Sequence, residues 1–401
     1  MGAKDVIFID GDVSGQISEL ARYIGELSGA SDIEGFVAGI TGSESAEAAA
    51  EAVLQASLGG TLARAPEAQM EAAYSQLFAI VASSGGDASL SGAAAAVADD
   101  VAAHAESGVA ALRVLNSLYE LVDGATQARV FEAMVATASR TDHVALVAPA
   151  AARLTALMGA WGSGAGRAVL ALRRALDAAQ LSAEAFASEV ALLGSGDCDD
   201  ATAAEVAASA VVRLANVPAL VDVDALAGLP RVQELSRRGA LGDAGRVLDA
   251  LVASDYAQWT RFAADNAAQL TALGVDAGRA AHKMRLLTVA SVAADSLGHA
   301  VPFADVASAI DVPAEDVEMW VIDAIRAGLI QGKMNQIART LLPTRSTYRT
   351  FGSEHWTLLA SRLDQWKTSL DSLRPVVNNA KLVAQQNALQ MAGQSRVTIK
   401  E

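Results

Sequence analysis

Two stretches of this sequence carry residue types that phosphate chemistry uses. Near the start, "VIFIDGDVSG" runs from four apolar residues into Asp10-Gly11-Asp12-Val13, the pattern of a carboxylate nucleophile at a strand end. Such a carboxylate works on a central parallel strand, with further strands and a lysine delivered by later βα units. The residues after it read as helices and loops, so residues 1–13 are expected to form a short extended arm. The second stretch, "GSGAGR" at 162–167, has glycines that could cradle a phosphate. It lacks the GxGxxG spacing, a GKS or GKT ending and a preceding strand, and reads as an inter-helix loop. His104, His143, His282, His299 and His355 make no HExxH and no ligand pair four residues apart. The single cysteine, Cys198, lies in the polar loop "GSGDCDD" and excludes an internal disulfide or a CxxC site. The many Asp/Glu pairs read as solvated helix faces and caps. No nucleophile, base and orienting acid come together, so a protein without catalysis, metal or cofactor is expected.

The remaining chemistry is that of binding. Residues 279–401 hold 14 Lys/Arg and 11 Asp/Glu, whereas the preceding 278 residues hold 16 and 35. Two surfaces with different partners are expected from that asymmetry. From Gly328 to Thr350 there are Lys333, Arg339, Arg345 and Arg349 and no acid. This run could touch RNA or an acidic neighbour, or simply be solvated. Just before it, "PAEDVEMWVIDAIRAG" puts Glu315, Glu318 and Asp323 on an exposed helix side against Arg326 alone. A helix that reads DNA presents Arg, Lys, Asn or Gln to base edges, and this one would repel phosphates. Its predicted role is support, with Val317, Val321 and Ala324 inward and Trp320 partly buried.

Beyond it, Trp356, Leu359, Leu363, Trp366, Leu370, Leu373 and Val377 succeed one another at alternating intervals of three and four. That spacing is an a/d heptad seam, a narrow apolar stripe that other helices must cover. The cover could be the chain's own helices or an intermolecular bundle. Pro375 is expected to kink or break the helix, leaving a separate piece over about 376–391.

These residues need elements to position them. The chain is 52% hydrophobic but only 4% aromatic, because it is alanine-rich, and alanine favours helices and close helix packing. Helices are predicted at 43–58, 67–82, 93–106, 109–122, 125–139, 143–158, 166–179, 182–193, 199–215 and 240–253. "SSGGDASLSG" (83–92) and "WGSGAGR" (161–167) read as exposed loops between them. Helical pairs without intervening strands suit a right-handed α-solenoid; no repeat motif is visible, and a globular helical bundle has the same local signals. After residue 277 the order changes to helix, short extended piece, helix, helix and two strands ("LIQGKMN", "ARTLLPTR"), the layout of a winged helix. The expected organisation is an arm over 1–13, a helical solenoid over 14–277, a winged helix over 278–352 and terminal helices with a flexible tail over 353–401. The N-terminal apolar run is too short and too acidic in its flanks for a signal peptide. No uncharged apolar run approaches the roughly 18 residues of a membrane helix, so a cytoplasmic protein without membrane contact is expected.

A solenoid, a winged helix and a bundle helix in that order resemble the PCI proteins, scaffold subunits of the proteasome lid, the COP9 signalosome and eukaryotic translation initiation factor 3. The likeness sharpens on "KMRLLT" (283–288), "AEDVEMWVIDAIR" (314–326), "TYRTFG" (347–352) and "HWTLLASRLDQWKTSL" (355–370), which resemble the subunit M family of the initiation factor over about residues 245–371. The resemblance implies a non-catalytic scaffold subunit that supports recruitment of messenger RNA and binding to the small ribosomal subunit. It implies that the wing strands near 329–350 meet a PCI neighbour, the winged helix of the factor's largest subunit. The seam from Trp356 to Leu373 would enter a helical bundle with the MPN subunits F and H. A signalosome or lid subunit, or a free-standing winged-helix nucleic-acid binder, stays open as an alternative.

Overall fold

Short polar side chains start several of the helices, including two, Val13–Ser28 and Tyr256–Asp265, beyond those predicted. Asp12 accepts from the backbone N–H of Gly15 at 3.0 Å and opens the helix Val13–Ser28, which buries Ile17, Leu20, Ala21 and Ile24 on one side. Gly29, at φ +69°, closes it in the left-handed conformation that an L side chain avoids. Ser45 and Asp199 cap the helices Ala46–Ser57 and Asp200–Asn216 in the same way, and Asp255 with Gln258 forms a reciprocal capping box on Tyr256–Asp265.

The computed structural model describes residues 12–43, 45–162, 164–349 and 352–397, with side chains other than those of 85–88 and 387–397. The Asp10 motif and nearly all of the expected arm lie outside the described residues, as does the end of the tail. The chain forms two compact units, Met1–Thr347 and Tyr348–Glu401.

The first unit is a succession of packed helices ending in a small sheet, as the composition predicts. One apolar core joins residues between Ile17 and Ala133, a second those between Leu112 and Leu341. The helices Gly108–Leu121 and Gly124–Arg140 feed both, with Leu115 and Val130 on one side and Leu112 and Phe131 on the other. The second core passes through position 277 without a break, so the helical array and the winged helix share one interior.

Three local expectations are corrected. The stretch 83–92 is no loop, because one helix runs from Glu67 to His104. Leu90, Ala94, Val97 and Val101 continue the buried stripe of Met70, Tyr74, Leu77 and Val81, and burial at about 1.5–3 kcal/mol for a large apolar side chain outweighs about 1 kcal/mol per helical glycine. The predicted helix 143–158 is instead Val144–Val147, a 3₁₀ turn Ala148–Arg153 carrying Pro149, and Leu154–Trp161. By length and composition the run Val144–Trp161 could cross a membrane; it carries Arg153 and turns Val144, Val147, Leu154, Met158 and Trp161 into the core. Nor is 161–167 an exposed loop, since Trp161 and Ala165 are buried and a helix begins at Ala165. Gly166 lies so close to its neighbour that a Cβ would sit 2.3 Å from the Asp197 carbonyl oxygen, and its N–H donates to the Asp197 carboxylate at 2.9 Å.

Buried charge ties three consecutive helices of the array together. Glu189, fully buried, accepts from Arg173 Nε (3.0 Å), Arg213 Nε (3.1 Å) and Ser209 Oγ (2.8 Å). Arg213 also donates to Asp177 at 2.6 Å. A carboxylate so fully satisfied offsets its own desolvation; one missing partner would leave it buried and uncompensated.

The winged helix begins with the helix Ala277–Asp295. Next come β1 (Val301–Pro302), the helices Phe303–Ile310 and Val317–Arg326, β2 (Ile330–Asn335) and β3 (Thr340–Ser346). The sheet order is β1-β3-β2, antiparallel throughout, with Lys333 opposite Leu342 and Gln331 opposite Arg345. The register shifts between Gln331 and Gly332, where a Cβ on Gly332 would lie 2.7 Å from the Leu342 carbonyl oxygen. The third helix opens at Val317, not at Pro313, because 313–316 are taken up by a turn closed by Asp316 N–H to Pro313 O at 3.0 Å.

The second unit is essentially one helix, Ser353–Val397. The break expected at Pro375 is absent. Proline removes one backbone donor, and the helix passes through that position.

Candidate interaction surfaces

The acidic helix is held from within. Val317, Val321 and Ala324 are fully buried, and Trp320 packs against His282 with ring centroids 4.9 Å apart and the rings tilted by 43°. The Arg285 guanidinium sits 5.2 Å from the Trp320 ring and 4.5 Å from that of Tyr256, while its Nε donates to Ile310 O at 3.2 Å. One cation thus clamps the helical array, the first helix and the third. On the outer side Glu318 accepts a hydrogen bond from Gln336 in the wing turn, and Asp323 pairs with Arg326 at 3.4 Å. The supporting role read from the sequence has its geometry here.

A latch joins the first helix of the winged helix to the array before it. Lys283 is fully buried, and its ammonium donates to the carbonyls of Leu214, Val217 (2.5 Å) and Leu220 (2.8 Å). These are at and beyond the C-terminal end of the helix Asp200–Asn216, where orphan carbonyls and the helix dipole favour a cation. Burial nevertheless pushes the Lys283 ammonium down to about 7. Asn216 closes the same junction, accepting from Asp276 N–H at 2.7 Å and donating to Gly274 O at 2.8 Å.

The four wing cations are divided between the two units. Lys333 and Arg345 are exposed on β2 and β3, and Arg339, at φ +48°, is exposed in the turn between them. Arg349 is half-buried and belongs to the other unit. The sequence reading also missed two apolar side chains beside the Glu318–Gln336 bond: Met319 and Ile337 are 63% and 100% exposed. Neither has a periodic signal to betray it.

The heptad row lies on the helix Ser353–Val397. Trp356, Leu359, Leu363, Trp366, Leu370 and Leu373 are between 41% (Leu359) and 64% (Trp366) exposed, and Val377 extends the row. Gly352 N–H donates to His355 Nδ1 at 3.1 Å at the helix start, with the Tyr348 ring 4.3 Å from the imidazole. A lone exposed leucine needs no explanation, whereas this is a row of seven at heptad spacing.

Two of the histidines, His104 and His143, are held in contacts with neighbouring side chains. His104 bonds the Asp100 carboxylate at 3.0 Å, and His143 meets the Thr141 hydroxyl at 3.2 Å. Burial raises the Cys198 thiol above its ordinary range. Among the described residues no group of three or more His, Cys, Asp or Glu side chains could hold a metal ion.

Comparison with known families matches two adjoining stretches. Residues 277–344 match the PCI domain, and residues 349–377 match the family described as "eIF3 subunit M, C-terminal helix". A protein of Aspergillus oryzae is 30% identical over 353 residues, covering 84% of this chain and 75% of that protein. A protein of Chaetomium globosum is 37% identical over 191 residues (46% of this chain, 43% of its own), and one of Schizosaccharomyces pombe 36% over 181 (45% and 43%). In the latter two the chain spans less than half of the relative's length. All three bear the name eukaryotic translation initiation factor 3 subunit M.

Proposed function

The chain belongs to the subunit M family of eukaryotic translation initiation factor 3, and on that premise we propose that it is a non-catalytic scaffold subunit of that factor. The observation that carries the proposal is the exposed seam from Trp356 to Leu373, which falls inside the match to the family's C-terminal helix. A row of large apolar side chains at heptad spacing is stable in water only when other helices cover it. The seam enters a helical bundle, for which the PCI resemblance supplies the MPN subunits F and H as company. The wing strands, with Lys333, Arg339 and Arg345, face a PCI neighbour, the factor's largest subunit, while Arg349 acts from the terminal unit. Residues 14–277 are the spacer that sets the distance between contacts, 278–352 the PCI joint and 353–401 the docking arm. The assembled cytoplasmic factor supports messenger RNA recruitment and binds the small ribosomal subunit.

Affinity purification of the full chain from native cytosol, with mass spectrometry of what co-purifies, tests this. The expected set is the subunits of initiation factor 3; a set of signalosome or proteasome-lid subunits would overturn the assignment. A second reading, direct nucleic-acid binding, has the three exposed wing cations in its favour. The acidic outer side of Val317–Arg326 works against it. Purified chain should not bind duplex DNA below micromolar at physiological salt, and tighter binding would favour the second reading.

A further inference from the structure

The charges beside the seam say which helices can cover it. With Trp356, Leu363, Leu370 and Val377 at the first apolar position of each heptad and Leu359, Trp366 and Leu373 at the second, the flanking positions are fixed. One flank carries Ala360, Lys367, Arg374 and Lys381, the other His355, Arg362, Ser369, Val376 and Val383. His355 Nδ1 accepts from Gly352 N–H. No acid stands on either flank. Asp364 and Asp371 fall on the outer side of the helix, one residue after Leu363 and Leu370. Arg362, Lys367, Arg374 and Lys381 are exposed, and among the described residues no ion pair engages them.

We propose that the seam selects heterologous helices bearing Asp or Glu at the positions flanking their own apolar stripe, and that its basic flanks prevent pairing with a second copy of this chain. This rests on the reading of the seam as a bundle surface. Flanking charges set partner choice and orientation in helical bundles. In a parallel self-pair Arg362 would meet Lys367 of the other copy. In an antiparallel one Lys367, Arg374 and Lys381 would face their own kind. A partner with acidic flanks turns each of these contacts into an attraction. The C-terminal side of the stripe, where Lys381 continues the basic flank beyond Val377, extends the same preference past Pro375.

The test uses the full chain and two designed helical probes of equal length. Both carry leucine at the seam positions, one with glutamate on both flanks and one with lysine. Fluorescence anisotropy at low and physiological salt should show the glutamate probe binding roughly ten-fold or more tightly, the gap narrowing with salt. The chain alone should sediment as a monomer. The quadruple variant R362E/K367E/R374E/K381E should invert the preference while its circular dichroism stays unchanged. Equal binding of both probes, or an unaltered preference in the variant, would overturn the charge selection and leave the seam standing as an interface. Binding of neither probe by any variant would instead remove the seam reading itself, and self-association of the wild-type chain would contradict the exclusion of a second copy.

Discussion

Lys283 illustrates how a single residue can hold two parts of a chain together. Its three carbonyl partners lie 63 to 69 residues earlier in sequence, and no local pattern announces them. "KMRLLT" is legible as a stretch that resembles a family, but the latch itself is not. Replacing Lys283 with Met should leave the Leu214 and Leu220 carbonyls without their donor, Val217 O keeping the Leu220 N–H at 3.2 Å, and lower stability by about 2–4 kcal/mol, measured by urea unfolding. Its pH dependence has a definite sign. The ammonium titrates near 7 in the fold against an ordinary value of 10.5, so between those limits the unfolded chain binds more protons and stability rises with pH. The difference in stability between wild type and Lys283→Met should therefore grow as pH climbs from about 7 towards 10 and flatten below 7. A difference independent of pH would show that the ammonium keeps its ordinary affinity for the proton. Glu189 makes the same point for the helical array, and Glu189→Ala should cost about 3 kcal/mol by leaving the largely buried Arg173 and Arg213 to share Asp177 as their remaining carboxylate.

At the scale of elements, what could be read from sequence divides by the range of the signal. The seam is fully legible because heptad spacing is a property of the sequence alone. The strands β2 and β3 and the inward set Val317, Val321 and Ala324 are legible for the same reason. Where the deciding contacts are distant, the reading fails. Local glycines argue for a loop at 83–92, yet the buried row from Met70 to Val101 keeps one helix. Trp161 sits in a glycine-rich run that looks exposed, yet its indole donates to the Tyr119 hydroxyl at 3.0 Å and packs, tilted, against Phe131 with centroids 4.9 Å apart. The wing cations are contiguous in sequence but Arg349 belongs to a different unit, which composition cannot reveal. An exposed seam makes its own prediction. Leu363→Glu with Trp366→Glu should leave the thermal unfolding of the first unit within about 2 °C of wild type, since neither side chain is buried. The same pair should abolish co-purification of partner subunits. Loss of fold rather than of partners would mean that the seam packs on its own chain.

The molecule as a whole separates stability from docking. The core that begins at Leu112 runs to Leu341 in β3 without a boundary at 277, so the array and the winged helix should unfold as one. A chain ending at 276 would strip the helices Asp200–Asn216 and Tyr256–Asp265 of the helix Ala277–Asp295 that packs on them, and should unfold at a lower temperature with a broadened transition. The seam lies wholly in the second unit. Charge shows a related division, with the acidic bulk before residue 279 and the basic excess after it. The central claim, that the terminal helix is the docking arm of a scaffold subunit, meets its most direct test in a chain truncated after Gly352 and expressed in cells beside the full-length protein. Tandem affinity purification of each should recover the initiation factor 3 subunits with the full chain only, while the truncated chain unfolds at the same temperature as the full one. Recovery of an undiminished complex on the truncated chain would contradict the claim.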